Sequence, residues 1–173
     1  MKIVADLMVP LARYTAVDDQ ASLLDAIQAL EAAQRAQAAD DGKARDRAVL
    51  VRDGHGTVLG KLSMWDLLRG LEPRYERPVD PLAMVATFDL WSHAMLRNLP
   101  AKARQVTAGA LLRNADDDER IAADAGMDEA VARLVSGRKL SLLVTRDGEI
   151  VGVLRLSDVF RSVSEMIRHA ETA

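Results

Sequence analysis

The chain contains no cysteine, which excludes disulfides, thiol nucleophiles and cysteine metal sites. Aromatic residues make up only 3% of its 173 residues, two each of Trp, Tyr and Phe. A core must therefore be aliphatic, and a base-stacking platform for single-stranded nucleic acid is missing. Basic excess is missing too: 23 Lys and Arg stand against 26 Asp and Glu, a formal net charge of -3. Nucleic-acid binders show the opposite footprint. No apolar run approaches the ~20 residues of a bilayer span. The N-terminal MKIVADLMVP meets Asp6 too early for a secretory signal. His55, His93 and His169 share no metal-ligand spacing. No base-and-nucleophile pair or phosphate-cradling glycine loop stands out. The expectation is a cytoplasmic protein that is not an enzyme, with no catalytic residue, metal, catalytic cofactor, nucleic-acid partner or membrane partner.

What the chain does have is a duplicated plan and enough apolar residues, 49%, to bury it. Gly60-Lys61-Leu62-Ser63-Met64-Trp65-Asp66 ends one strand-like run and opens a helix. Gly152-Val153-Leu154-Arg155-Leu156-Ser157-Asp158 repeats it 92 residues later. In both copies a glycine ends one short hydrophobic segment, and an aspartate stands six residues on, in the first turn of the next helix.

Residues 1–9 predict a short helix stopped by Pro10, and Arg13 to Val17 a short strand. Ser22 predicts an N-cap, and Leu23, Ala26, Ile27 and Leu30 recur at helical spacing over 22–37. A polar tract follows (Gln34 to Arg45). Residues 47–52 and 57–62 predict strands around an Asp53-Gly54-His55-Gly56 turn, and 64–71 a helix. Residues 72–81 hold three of the five prolines and predict a linker. Met84, Phe88, Trp91, Met95 and Leu99 mark one face of a helix over 82–99, closed by Pro100. A helical arm over 105–113, a solvated acidic loop (Asp116 to Glu119) and a strand at Arg120–Ala122 come next. The pattern then repeats: a helix over 127–136, strands over 140–145 and 149–154 around Asp147-Gly148, and a helix over 157–170. The offset between copies is 104 residues over the first helix and 92 at the glycine, the first copy carrying the insert. Units this small bury little surface alone and are expected to pack on each other.

The stretches VADLM, DRAVLVRDGHGTVLGKLSMWDLL and KLSLLVTRDGEIVGVLRLSDVF, taken as a duplicated set, resemble a pair of CBS domains, the cystathionine β-synthase regulatory module. The resemblance implies an α/β (α+β) fold: tandem βαββα repeats packed sheet to sheet with pseudo-two-fold symmetry, plus a connecting helix. The units are residues 1–72, with the insert at 34–45, and 103–173, joined by a linker over 73–102. It implies an adenosine-containing regulatory ligand (AMP, ADP, ATP or a relative) in clefts between the units, a homodimer, and an unidentified regulated protein as partner. Family sites use Gly-x-x-Ser/Thr-x-x-Asp, the hydroxyl meeting phosphate and the aspartate meeting ribose. By that resemblance Ser63 and Asp66 would serve one cleft, with Tyr14, Thr15, Ala16, Arg47 and Ala48 at its adenine end. Asp158 would serve the other, with Arg120, Ile121, Ser141 and Leu142 as adenine wall. Arg155 departs from the pattern, standing where the hydroxyl belongs. It would either grip phosphate or lie solvated along the sheet.

A bland alternative holds for Ser63-x-x-Asp66: a capping box, with Ser63 the N-cap and Asp66 at N3. Asp66→Ala is expected to abolish binding with little loss of folding on the ligand reading, and to lower the melting temperature on the capping reading. The functional alternative is a ligand-free dimeric scaffold that keeps the fold.

Overall fold

The computed structural model describes residues 2–38, 45–72, 97–112 and 119–171. The first unit begins with helix α1 (Val4–Leu7), strand β1 (Val9–Pro10), a 3-10 turn (Leu11–Arg13) and strand β2 (Ala16–Asp18). Helix α2 (Leu23–Ala38) follows. Ser22 caps it as expected: its Oγ accepts the Asp25 N–H at 3.1 Å, and its own N–H donates to Asp25 Oδ2 at 2.9 Å. Strands β3 (Ala48–Arg52) and β4 (Val58–Ser63) and helix α3 (Met64–Arg69) complete the unit. Helix α4 (Leu99–Gln105) leads into the second unit, which continues with α5 (Ala108–Leu111), β5 (Arg120–Ala122), α6 (Met127–Ser136), β6 (Ser141–Arg146), β7 (Glu149–Arg155) and α7 (Leu156–Glu171). Between β6 and β7, Asp147 and Gly148 both take positive φ, 53° and 83°, as a two-residue primed hairpin requires.

Some elements differ from expectation for local reasons. Pro10 does not stop a helix: α1 ends at Leu7, and Pro10 lies in β1 at the end of a sheet, where a missing N–H breaks no ladder. The strand expected from Arg13 is β2 and starts at Ala16, because Tyr14 N–H closes onto the Leu11 carbonyl at 3.1 Å. Pro100 opens a helix instead of closing one, since it occupies the first turn of α4, where proline loses no intrahelical partner. The arm expected over 105–113 is broken at Val106-Thr107: Val106 gives its carbonyl to the Leu23 N–H at 2.7 Å, and Thr107 Oγ1 caps α5 through the Ala110 N–H. The helix expected over 82–99 lies outside the described residues as far as residue 96, as does the acidic loop over 116–118.

Among the described residues two sheets form, in the orders β1-β7-β6-β5 and β2-β3-β4. In each, a short strand pairs parallel with the unit's central strand, which pairs antiparallel with the strand carrying the repeated glycine. The units exchange their N-terminal arms. β1 pairs with β7, and Val4 packs with Ile121, Leu142 and Leu154 of the second unit. In return Ala103 and Ala108 pack with Leu23, Leu30 and Val49 of the first. The exchange is symmetric in its hydrogen bonds. Ala5 N–H reaches the Ala123 carbonyl and Gly109 N–H the Asp19 carbonyl, both at 2.8 Å, each pair of equivalents lying 104 residues apart. Between the sheets Leu50, Leu143, Val153 and Tyr14 form a third buried cluster. Truncating a fully buried leucine such as Leu142 in these layers costs about 2–5 kcal/mol.

The arm exchange explains the repeated glycine. A Cβ at Gly152 would stand 2.7 Å from the Val9 carbonyl oxygen and 2.8 Å from Met8 Sδ. One at Gly60 would stand 3.1 Å from Leu112, the equivalent of Met8. Each glycine leaves room for the other unit's arm to cross its strand. Among the described residues, no helix is long and apolar enough to cross a membrane, and no group of three or more His, Asp or Glu is arranged to hold a metal ion.

Candidate functional site

The boundary between the units opens into a cleft of about 250 Å³. The first unit contributes Tyr14, Arg45 and Arg47; the second contributes Leu140, Ser141, Arg155, Leu156, Ser157 and Phe160. Strand register places these residues. Ser141 at the start of β6 lies opposite Arg155 at the end of β7, as Ala48 lies opposite Ser63 in the first unit. The Leu156 N–H holds the Leu140 carbonyl at 2.9 Å, so the first turn of α7 is anchored at the cleft wall.

The charged centre is Arg155. Its Nη1 donates to Asp46 Oδ1 at 2.8 Å, while Nε and Nη2 donate to Asp158 Oδ2 and Oδ1 at 2.5 and 3.1 Å. Burial works against this guanidinium's charge, but the hydrogen bonds and charges of Asp158 and Asp46 outweigh it and hold its pKa above the ordinary value. Asp46 is only 1% exposed. Its Oδ2 accepts from Gln37 Nε2 at 2.8 Å, and its N–H donates to Gln37 Oε1 at 2.7 Å. Its carbonyl accepts from Gln34 Nε2 at 2.7 Å. The end of α2 is thus tied through Asp46 to Arg155 of the other unit. Tyr14 is buried, and its hydroxyl has no hydrogen-bond partner among the described residues. Burial first, and the Asp46 carboxylate second, push the phenol's pKa up, so it stays a donor.

The equivalent place in the first unit is wired differently. Ser63 and Asp66 form the capping box: Ser63 Oγ accepts the Asp66 N–H at 3.3 Å, and Asp66 Oδ2 accepts the Ser63 N–H at 2.8 Å. Asp66 Oδ1 pairs with Arg69. Beside them Lys61 is a buried cation, 3.7 Å from Glu119 of the second unit. Burial is the main cause that lowers its pKa, against the raising influence of Glu119 and Asp66.

The other sequence-derived residues scatter. Tyr14 and Arg47, grouped with Ser63 and Asp66 by the resemblance, instead line the cleft with Ser141 and Arg155. Ala16 lines a second depression of about 290 Å³ with Tyr14, Leu50 and Arg52. The Thr15 carbonyl accepts the Leu50 N–H at 2.9 Å. Ala48, Ile121 and Leu142 are buried in the packed layers. The Arg120 carbonyl accepts from Arg133, and the Arg120 Nε is buried without a hydrogen-bond partner among the described residues. Sequence reasoning missed Arg45, Asp46 and Phe160. The Arg-Asp-Arg run ahead of β3 was one available signal. Another was an aromatic off the apolar stripe of α7, where Val159 and Ser162 take the buried side.

A duplicated α+β protein with exchanged arms and a cationic inter-unit cleft is the class that fold and site define. The CBS domain family model matches residues 118–165, and the chain shares its fold with solved structures that include a CBS-pair protein and a CBS domain-containing protein. CBSX2, the CBS-pair protein of Arabidopsis thaliana, crystallised in complex with AMP, is 20% identical with a TM-score of 0.63 over 96% of this chain and 98% of that one. A CBS domain-containing protein of unknown function from Kribbella flavida is 17% identical, with a TM-score of 0.61 over 95% and 99%. A putative acetoin utilization protein (AcuB) from Vibrio cholerae is 19% identical, with a TM-score of 0.60 over 100% and 98%. No curated protein matches the sequence.

Proposed function

We propose that the chain is a regulatory module rather than an enzyme. It takes an adenosine-containing ligand (AMP, ADP, ATP or a relative) into the cleft between its units, and occupancy alters a partner protein or its own dimer. The observation that carries this reading is the cleft's double origin. Tyr14, Arg45 and Arg47 from one unit face Ser141, Arg155 and Phe160 from the other, so a ligand there touches both halves. The AMP complex of CBSX2, a protein of the same fold, supports it. The units are residues 1–72 and 103–173 along the chain, and the setting is cytoplasmic. The apolar side chains exposed on α3 (Met64, Trp65 and Leu68) suit a homodimer or partner contact. Isothermal titration of the folded protein with AMP, ADP, ATP and S-adenosylmethionine tests the reading. Saturable heat from at least one is expected, and no heat from any of the four sinks it.

A second reading, a ligand-free dimeric scaffold of the same fold, draws on one observation: Arg155 already engages Asp46 and Asp158. A nucleotide carried through purification, detected by mass spectrometry, would rule that out.

A further inference from the structure

We infer that the cleft reads its ligand at two separate places, an aromatic base on Phe160 and an anionic phosphate on Arg45 and Arg47, while Arg155 serves as scaffolding. The inference rests on the ligand reading above and names the residues that do the recognising.

Arg155 takes the place of the hydroxyl that Ser63 supplies in the first unit, yet three of its nitrogens already donate to Asp46 and Asp158. A phosphate there would compete with two carboxylates that already hold the guanidinium, one of them almost fully buried. Arg45 and Arg47 line the same cleft, are exposed, and have no carboxylate partner among the described residues. Two guanidinium forks set either side of Asp46 in the chain suit a phosphate's oxygens. Asp46 itself turns inward to Gln37 and Arg155 and leaves the mouth cationic.

Phe160 is 71% exposed and lines the cleft. It is one of two phenylalanines in the chain. Its ring is not part of the core, and a flat heteroaromatic group would cover it. Tyr14 points to a ligand independently of both features: its hydroxyl is buried at the cleft with no partner among the described residues, and an unpaired buried donor is normally satisfied. A ring nitrogen or sugar oxygen would accept from it. The chemical class is a nucleoside phosphate, base toward Phe160 and phosphate toward Arg45 and Arg47.

The test titrates adenosine and AMP into the wild type, Phe160→Ala and the double variant Arg45→Ala/Arg47→Ala. All three side chains are exposed, and circular dichroism verifies folding. Phe160→Ala is expected to weaken both ligands about tenfold, the worth of one base–aromatic stack. Their affinity ratio should stay unchanged. The double arginine variant is expected to weaken AMP about ten- to hundredfold, the worth of hydrogen bonds to a charged group, and to leave adenosine as it was. AMP binding unchanged in both variants overturns the inference while the ligand reading stands. A wild type that binds neither ligand overturns the inference, and the ligand reading falls with it when ADP, ATP and S-adenosylmethionine give no heat either.

Discussion

Asp46 and Arg155, 109 residues apart in sequence, meet at 2.8 Å across the boundary between the two units. Asp46 is almost fully buried and Arg155 mostly so. The pair joins the end of α2, through Gln37 and Gln34, to the strand-to-helix corner that carries Asp158. A buried pair of this kind contributes little net stability compared with apolar packing, but it is damaging to break on one side only.

Arg155→Met is therefore expected to destabilise the chain by about 3–5 kcal/mol, because it strands a buried carboxylate at Asp46. Adding Asp46→Asn to it should recover part of the loss, since the stranded charge goes. Urea denaturation of both single variants and the double variant reads the coupling. Additive effects would show that the two groups do not act as a pair.

Asp66→Ala removes the N3 member of the α3 capping box and the partner of Arg69. A lost cap costs about 1 kcal/mol, which in a chain of this size lowers Tm by about 2–4 °C. Ligand affinity at the Tyr14–Arg155 cleft should be untouched. Thermal melting and calorimetry on the same samples separate the effects. Abolished binding with an unchanged Tm would instead favour Asp66 as a ligand residue.

Gly152→Ala places a methyl group 2.7 Å from a backbone oxygen of the exchanged arm. The arm must shift, at an expected cost of about 1–3 kcal/mol. Hydrogen exchange should quicken over residues 4–10. Gly54→Ala is the control: a Cβ there meets nothing within 4 Å, so stability should stay within about 0.5 kcal/mol.

Lys61 supplies a pH prediction. Its pKa in the folded chain lies below the ordinary 10.5, chiefly through burial. Between the folded value and 10.5 the unfolded chain binds more protons, so stability rises with pH across that window and falls as pH drops through it. Lys61→Met should be more stable than the wild type near neutrality, with the difference shrinking toward pH 10. Denaturation at pH 7, 8, 9 and 10 checks the sign, and a difference independent of pH would refute it.

Much of the fold was legible because its signals are local. The Asp147-Gly148 hairpin, the Ser22 cap and the buried central strands follow from backbone conformation, capping chemistry and apolar runs over a few residues. Pro10 and Pro100 were misread because proline marks both ends and beginnings, and only neighbours in space distinguish them. The candidate site was less legible. Ser63 and Asp66 stand out in the sequence but are occupied by their own cap and by Arg69. Arg45, Asp46 and Phe160 matter through what lies opposite them, and nothing within a few residues reports that.

The duplicated order of helix, strands, turn and glycine was determined by the sequence by itself, through periodicity and turn chemistry acting over short spans. Only the tertiary structure decided that the arms are exchanged, so that each repeated glycine makes way for the other unit's chain. It also decided that Tyr14 and Arg47 line one cleft with Arg155, and that Lys61 is buried where its counterpart Val153 packs. The physical reason is that these are contacts between surfaces some hundred residues apart, set by how two small cores bury each other.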